Sequence, residues 1–270
     1  WTVTLERGDK NPYGAFILYQ QMGDLFPAAE VSSEQLPAYN LLSDTSLEGT
    51  AYVIVSPRAA LEPEDVSRLL GYVARGNDAF IAAGALSRAL SDSLGVKCAE
   101  PRVVLTDDSL RVNFTNPRLA TDTGFGFRRY TLDGHFSEVD TPATMVLGEN
   151  SSGQADFVRV SRGKGHIYLH AVPLCFSNYF MLWGNNATYT SSALSYLPAG
   201  LSHVYWDEYY KLGSVYKGSM LRFFLSDPVL RWAWWLALAT LVLYVIFEAK
   251  RRQRVIPVEE VPRNTSLDFT

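Results

Sequence analysis

Apolar positions along the chain change rhythm several times, and each change marks an element. In the stretch NPYGAFILYQQMGDLF, Phe16, Ile17, Met22 and Leu25 recur near a helical spacing. A first helix is predicted there, with Asn11 as its N-cap and Pro12 in its first turn. A loop rich in Ser and Glu follows. Ala51 to Val55 (AYVIV) is then an unbroken apolar run ending at Ser56 and Pro57, as expected of a strand buried on both faces. Glu62, Pro63, Glu64 and Asp65 open the next helix with acids. Val66, Leu69, Leu70 and Val73 form its apolar face, and Gly76 after Arg75 ends it. Ala79 to Ala83 reads as a second buried strand and Leu86 to Leu94 as another helix. Strand, helix, strand, helix in this order implies right-handed crossovers and a parallel sheet.

Beyond residue 101 the pieces shorten and become β-like: RVVL, LRVNF and TMVLGEN, then DFVRVSRGKGHIYLHAV. The last predicts a hairpin. Phe157, Val158 and Val160 precede the turn, Ile167, Leu169 and Ala171 return from it, and Gly163 and Gly165 can take positive φ. A further helix is expected from Tyr179, and a strand or extended edge from His203 (HVYWDEYY).

The longest apolar run changes the picture. Trp232 to Phe247 carries no charge, and extending it back to Val229 adds only Arg231. These lengths are roughly 24 and 28 Å as helix, against a hydrocarbon core of about 30 Å. A transmembrane helix is predicted over 229–248, with Arg231 snorkelling and Trp232, Trp234 and Trp235 at a headgroup boundary. Lys250, Arg251, Arg252 and Arg254 crowd its exit. Positive flanks stay on the cytoplasmic side, so 249–270 is expected to be a cytoplasmic tail and 1–228 an extracytoplasmic α/β domain. The lipid bilayer is the first partner.

Composition narrows the chemistry. The 270 residues are 47% apolar and 19% charged, enough for a sizeable core. A net charge of −4 argues against nucleic acid, which needs clustered cations on the folded part. Cys98 and Cys175 are too few for a disulfide framework or a four-cysteine zinc site, and whether they pair is left open. Gly124-Phe-Gly126 lacks the third glycine of a dinucleotide loop, and no cofactor is predicted. His166 and His170 lie four residues apart on one strand, about 13 Å, too far to share a metal. Asp207 and Glu208 would point to opposite faces of a strand, which rules out a paired acid and base there. His170, near a strand end beside Asn178, remains a candidate together with Asp207 and Glu208, because crevices form at strand ends in α/β folds.

KNPYGAFILYQQMGDLFP, RGKGHIYLHAVPLCFSNY, WDEYY and the ending KRRQRVIP with RNTSLDF resemble a bacterial domain-of-unknown-function family. Its members carry a glutamine-amidotransferase-like extracytoplasmic domain, and their genes often lie beside those of MoxR-type AAA+ ATPases. The resemblance covers nearly the whole chain. It implies a flavodoxin-like, mainly parallel sheet with additional β-hairpins, a bacterial inner-membrane location, a first transmembrane helix upstream of Trp1, and a MoxR-type system as partner. It brings Asn11, Tyr13 and Gly14 into the ligand or partner candidates beside His170, Asn178, Asp207 and Glu208. An amidotransferase-like catalyst needs a nucleophilic Cys on the turn after the second buried strand, whereas this sequence has Gly84, Ala85 and Leu86. No catalytic residue is therefore assigned. The first expectation is a non-enzymatic binding or scaffold subunit of an envelope complex. The alternatives are an extracytoplasmic hydrolase using the crevice near His170 and an accessory subunit of a transporter.

Protease added to intact spheroplasts should digest the large domain and spare a C-terminal epitope tag. Reversing the charges of Lys250, Arg251, Arg252 and Arg254 should expose that tag in a fraction of molecules.

Overall fold

The computed structural model describes residues 2–99, 102–104, 110–127, 131–139, 142–212 and 228–248. The chain divides into two compact units, Trp1–Lys217 and Gly218–Thr270. The first is built on a nine-stranded mixed sheet. Five of its strands run parallel: β1 (Glu30–Glu34), β13 (His203–Asp207), β2 (Thr50–Ser56), β3 (Asp78–Ala83) and β12 (Gly165–His170), side by side in that order. The antiparallel strands β11 (Ala155–Arg162), β10 (Thr144–Asn150), β6 (Leu110–Phe114) and β7 (Phe125–Phe127) continue the same sheet. Two further pairs lie apart from it: β4 (Val96–Cys98) with β9 (Phe136–Val139), and β5 (Arg102–Val104) with β8 (Thr131–Asp133).

Alternation along the central strands divides the core in two. Val53, Val55, Phe80, Ala82 and Trp206 face one side, where α1 (Phe16–Leu25), α5 (Asn178–Met181) and α6 (Asn186–Leu194) bring Leu18, Met22, Phe180 and Tyr189. Tyr52, Ile54, Ile81 and Leu169 face the other, against Val66, Leu69 and Val73 of α3 (Pro63–Ala74) and Leu90 of α4 (Arg88–Leu94). Each such large apolar side chain contributes about 1.5–3 kcal/mol by leaving water. Helix α3 starts as its acids predict: Asp65 Oδ2 accepts from the Glu62 N–H, and the Glu62 side chain caps the third helical residue.

Several expectations need correction. Asn11 and Pro12 do not begin the first helix. Asn11 to Gly14 form a turn, Gly14 N–H donating to Asn11 O at 3.0 Å, and α1 starts at Phe16. Its N-terminus is capped from afar, because Asn178 Oδ1 accepts from Ile17 N–H at 2.8 Å. The Ser- and Glu-rich loop contains edge strand β1, paired in register with β13. β13 is accordingly an interior strand, with β1 on one side and β2 on the other. The predicted hairpin, β11 and β12, extends the main sheet. Its turn uses positive φ at Gly163 (+60°), whereas Gly165 is needed for close packing: a Cβ there would lie 2.0 Å from Asn77 O and 2.5 Å from Val73 O. Past His170 come a 3₁₀ turn, Pro173–Phe176, and then α5 and α6 in place of one helix. Ser177 caps α5, its Oγ accepting from Phe180 N–H. A final short helix, α7 (Tyr209–Leu212), follows β13.

In the second unit, α8 (Pro228–Glu248) contains Leu230–Phe247, a segment of mean hydropathy 1.7, long and apolar enough to cross a membrane. Trp232, Trp234 and Trp235 lie on it with their side chains exposed. Lys250, Arg251, Arg252 and Arg254 lie outside the described residues.

Gly165→Ala should lower the domain's stability by about 3 kcal/mol or more, because backbone atoms on both sides leave no room. Gly23→Ala, in α1 with nothing within 4 Å of the new Cβ, should raise it by roughly 1 kcal/mol. Denaturant melts of the two variants beside wild type check both signs.

Candidate functional site

The carboxyl ends of parallel strands are where α/β sheets open crevices. Here β13, β2, β3 and β12 end at Asp207, Ser56, Ala83 and His170. On the α1 side that edge is covered by the chain's own N-terminal loop. The Arg7 N–H donates to Glu208 Oε1 at 3.1 Å, next to β13. Further along, Asn178 Nδ2 donates to Asp9 O at 2.8 Å and Asn11 O at 2.7 Å, and the Asn178 N–H donates to Gly14 O. Tyr13 sets its ring edge-on to Tyr179, with centroids 6.4 Å apart. Gly14 is obligatory in this loop, since a Cβ would meet Asp9 O at 2.0 Å. Asn11, Tyr13, Gly14 and Asn178 therefore come together, as the parts of a clasp.

His170 points into the same core and is sealed there. The Val172 N–H donates to its Nδ1 at 3.0 Å, so the ring proton sits on Nε2 and is donated to Tyr189 Oη at 2.7 Å. Burial pushes its pKa down to about 3. Cys175 is fully buried, and burial, with Asp156 nearby, holds its thiol well above the usual range. Both cysteines are free, which answers the open question of their pairing.

Asp207 lies on the opposite face of the sheet from His170: its neighbour Trp206 pairs with Val53 and faces the α1 side, so Asp207 faces the α3 side, where Tyr52 meets it, while Ala82, opposite His170, faces the α1 side. Tyr52 Oη donates to Asp207 Oδ1 at 2.8 Å, and the N–H groups of Tyr209 and Tyr210 donate to its carboxylate, starting α7. Burial nonetheless raises its pKa to about 7, opposed by Lys211 and these donors. Glu208 turns the other way. Its Oε1 accepts from Trp206 Nε1 at 2.7 Å and pairs with Lys211 Nζ at 2.9 Å, the ammonium lying 4.1 Å from the Trp206 ring centroid. His170, Asn178 and Asp207 thus do not converge on one crevice.

Two features escape a reading of the sequence. Asp156 is wholly buried on β11, and neither carboxyl oxygen has a hydrogen-bond partner from another described residue. Burial holds it well above the carboxylate range. Gly148 makes room for it, as a Cβ there would lie 2.9 Å from Asp156 Oδ1. The second is an open cleft of about 510 Å³ beside the turn after β3, lined by Arg58, Ala85, Leu86, Arg88, Lys97 and Cys98. Ala85 and Leu86, in the turn that follows β3, form part of its wall. Cys98 borders the cleft as a thiol, burial pushing its pKa up to about 11. Among the described residues, no three His, Cys, Asp or Glu side chains are grouped to hold a metal ion.

Sheet, clasp and final helix define a mixed-sheet α/β domain whose carboxyl edge is covered on the α1 side, followed in sequence by a helix long and apolar enough to cross a membrane. Within that class, the chain belongs to the DUF4350 family (domain of unknown function), which it matches over residues 7–194. No curated protein matches the sequence. Among solved structures, the chain is similar to the mmIFT52 N-terminal domain at 13% identity and a TM-score of 0.45, with 61% of this chain and 81% of that one covered. It is similar to cytoplasmic protein STM1381 from Salmonella typhimurium LT2 at 17% and 0.43, covering 66% and 86%. A GH42 β-galactosidase, Gan42B from G. stearothermophilus, matches at 12% and 0.44, with 72% of this chain against 27% of the enzyme. At this distance no activity transfers.

His170 and Asp207 should tilt the stability profile in opposite directions. His170, depressed to about 3 in the folded state, contributes stability above the unfolded value near 6.5 that is lost as pH falls toward 3. Asp207, raised to about 7, contributes stability below the unfolded value near 3.8 that is lost as pH rises through 7. Relative to wild type, His170→Gln should therefore gain stability as pH drops from 6.5 to 4, and Asp207→Asn as pH climbs from 4 to 8. Each slope should be at most about 1.4 kcal/mol per unit in pH-resolved denaturant titrations.

Proposed function

We propose that this protein is a membrane-anchored binding subunit of a bacterial envelope complex, whose α/β domain stands outside the cytoplasm and recognises a partner without transforming it. The observation that carries this reading is the clasp. The edge at which such sheets hold substrates is occupied on the α1 side by residues 7–14, fastened by Asn178 and Glu208. His170, at the end of β12, is neutral, buried and engaged at both ring nitrogens. The turn after β3 offers Ala85 and Leu86 where the amidotransferase-like resemblance would place a nucleophile. The C-terminal helix supplies the anchor, and the basic residues after it set the orientation. A MoxR-type AAA+ ATPase system, implied by the family resemblance, is the partner to look for across the membrane.

Tagged full-length protein should be extracted from native membranes in mild detergent, and its co-purifying proteins identified and quantified. A stoichiometric partner, together with no turnover of nitrophenyl esters or glycosides, is the expected result. Turnover that disappears in His170→Gln would replace this reading with an extracytoplasmic hydrolase. A stoichiometric multi-span transporter would make the protein a transport accessory.

A further inference from the structure

A groove of about 310 Å³ lies at the far edge of the sheet, where β7 meets the turn between α5 and α6. Trp183 borders it, and the indole remains 42% exposed beside Leu182, which is 74% exposed. A large indole left in water at a turn tip adds little to the core, so its place on the wall of a groove points to a ligand. The turn is firmly built. Trp183 N–H donates to Phe180 O, Asn186 N–H donates to Trp183 O, and Gly184 takes the left-handed conformation (φ +56°) that lets the chain reverse. The Trp183 ring contacts Tyr179, with centroids 6.0 Å apart, and Tyr179 in turn meets Tyr13 of the clasp. The indole is held before any ligand arrives.

The other walls are polar and mostly uncharged. Asn185, Thr123 and Arg111 line the groove together with Gly124 and Gly126. Asn185 Oδ1 accepts from Thr188 Oγ1, which leaves its amide as donor, and Arg111 Nη1 is tied to Thr123 O, which fixes the guanidinium. This chemistry sorts the ligand classes. A phosphate would call for several convergent cations or a bidentate fork, and the groove has one arginine. A peptide adding to the β7 edge would compete with Asn186 Nδ2, which donates to the Gly126 carbonyl at 3.1 Å. A pyranose ring meets the groove as built: its C–H face carries partial positive charge toward the negative face of an indole, and its hydroxyls both give and take hydrogen bonds.

We infer that this groove is a carbohydrate-binding site in which one pyranose unit of a glycan stacks on Trp183 and is held through its hydroxyls by Asn185, Thr123 and Arg111. The inference rests on the binding reading above and gives it a ligand class.

The test uses the full-length protein in a detergent without a sugar headgroup, with cellotetraose and the N-acetylglucosamine tetramer as probes. Saturation-transfer NMR should show transfer from wild-type protein to the ring C–H protons of at least one tetramer, with saturable binding. Trp183→Ala should weaken it at least tenfold and Arg111→Ala severalfold, whereas Trp235→Ala on α8 should leave it unchanged. Should Trp183→Ala lower the melting temperature, Trp183→Phe provides the second variant: it keeps a ring and should retain weakened binding. No transfer from wild type to either tetramer at about 10 mM, or binding that Trp183→Ala leaves intact, overturns the inference. If neither tetramer binds while the membrane partner still co-purifies, the groove assignment falls and the binding reading stands. If a tetramer is bound and also cleaved, the groove stands and the binding reading falls.

Discussion

Everything in the sheet depends on β13 entering between β1 and β2. Backbone hydrogen bonds are obligatory for buried strands, and β2 has β3 on one side only. Until residues 203–207 arrive, the other edge of β2 is open and β1, with the sequence EVSSE, has no ladder at all. The same insertion places Trp206 beneath Tyr19 of α1, brings Asp207 under the Tyr52 hydroxyl, and sets Glu208 where it can fasten the N-terminal loop. One strand thus ties the first thirty residues to the segment that leads into α8.

The clasp follows from that closure. Asn178 is a single amide using both ends: its oxygen caps α1 and its nitrogen holds two carbonyls of the loop. Glu208 fastens the other end through one oxygen, Oε1, which accepts from Arg7 N–H, Trp206 Nε1 and Lys211 Nζ, sheltered with Lys211 from water. Removing one partner of a buried pair like this leaves an uncompensated charge, so the arrangement is rigid in a way that exposed ion pairs such as Lys97 with Glu138 are not. These contacts close the carboxyl edge on the α1 side only, and the cleft beside the turn after β3 stays open.

What the sequence disclosed was local. β2, α3, β3 and the β11–β12 hairpin announce themselves because burial on both faces, acidic first turns and a Gly-containing reversal leave marks within ten residues. β1 stays hidden because an edge strand with polar residues carries no apolar run. The start of α1 is misplaced because its cap comes from a side chain 161 residues away, while Asn11-Pro12 offers a persuasive local substitute that tertiary contacts override. Asn11, Tyr13, Gly14 and Asn178 are legible as a group only through family resemblance. The separation of His170 from Asp207 needs the register of four strands, which no spacing along the chain supplies. Asp156 and the Trp183 groove left no signal, since an acid beside an apolar strand and a tryptophan in a turn are common in sequences that do nothing with them.

The interior position of β13 also bears on how the protein is made. Synthesis delivers β13 last among the nine strands, and α8 begins only some twenty residues later. Between the synthesis of β12 and that of β13 the sheet has a vacant slot and a loose edge strand, a form prone to pair with other chains. Completion of the fold and arrival of the apolar helix therefore fall close together in time. A chain interrupted before residue 203 would carry both defects at once, unfinished and without its apolar helix, which makes it a ready substrate for quality control.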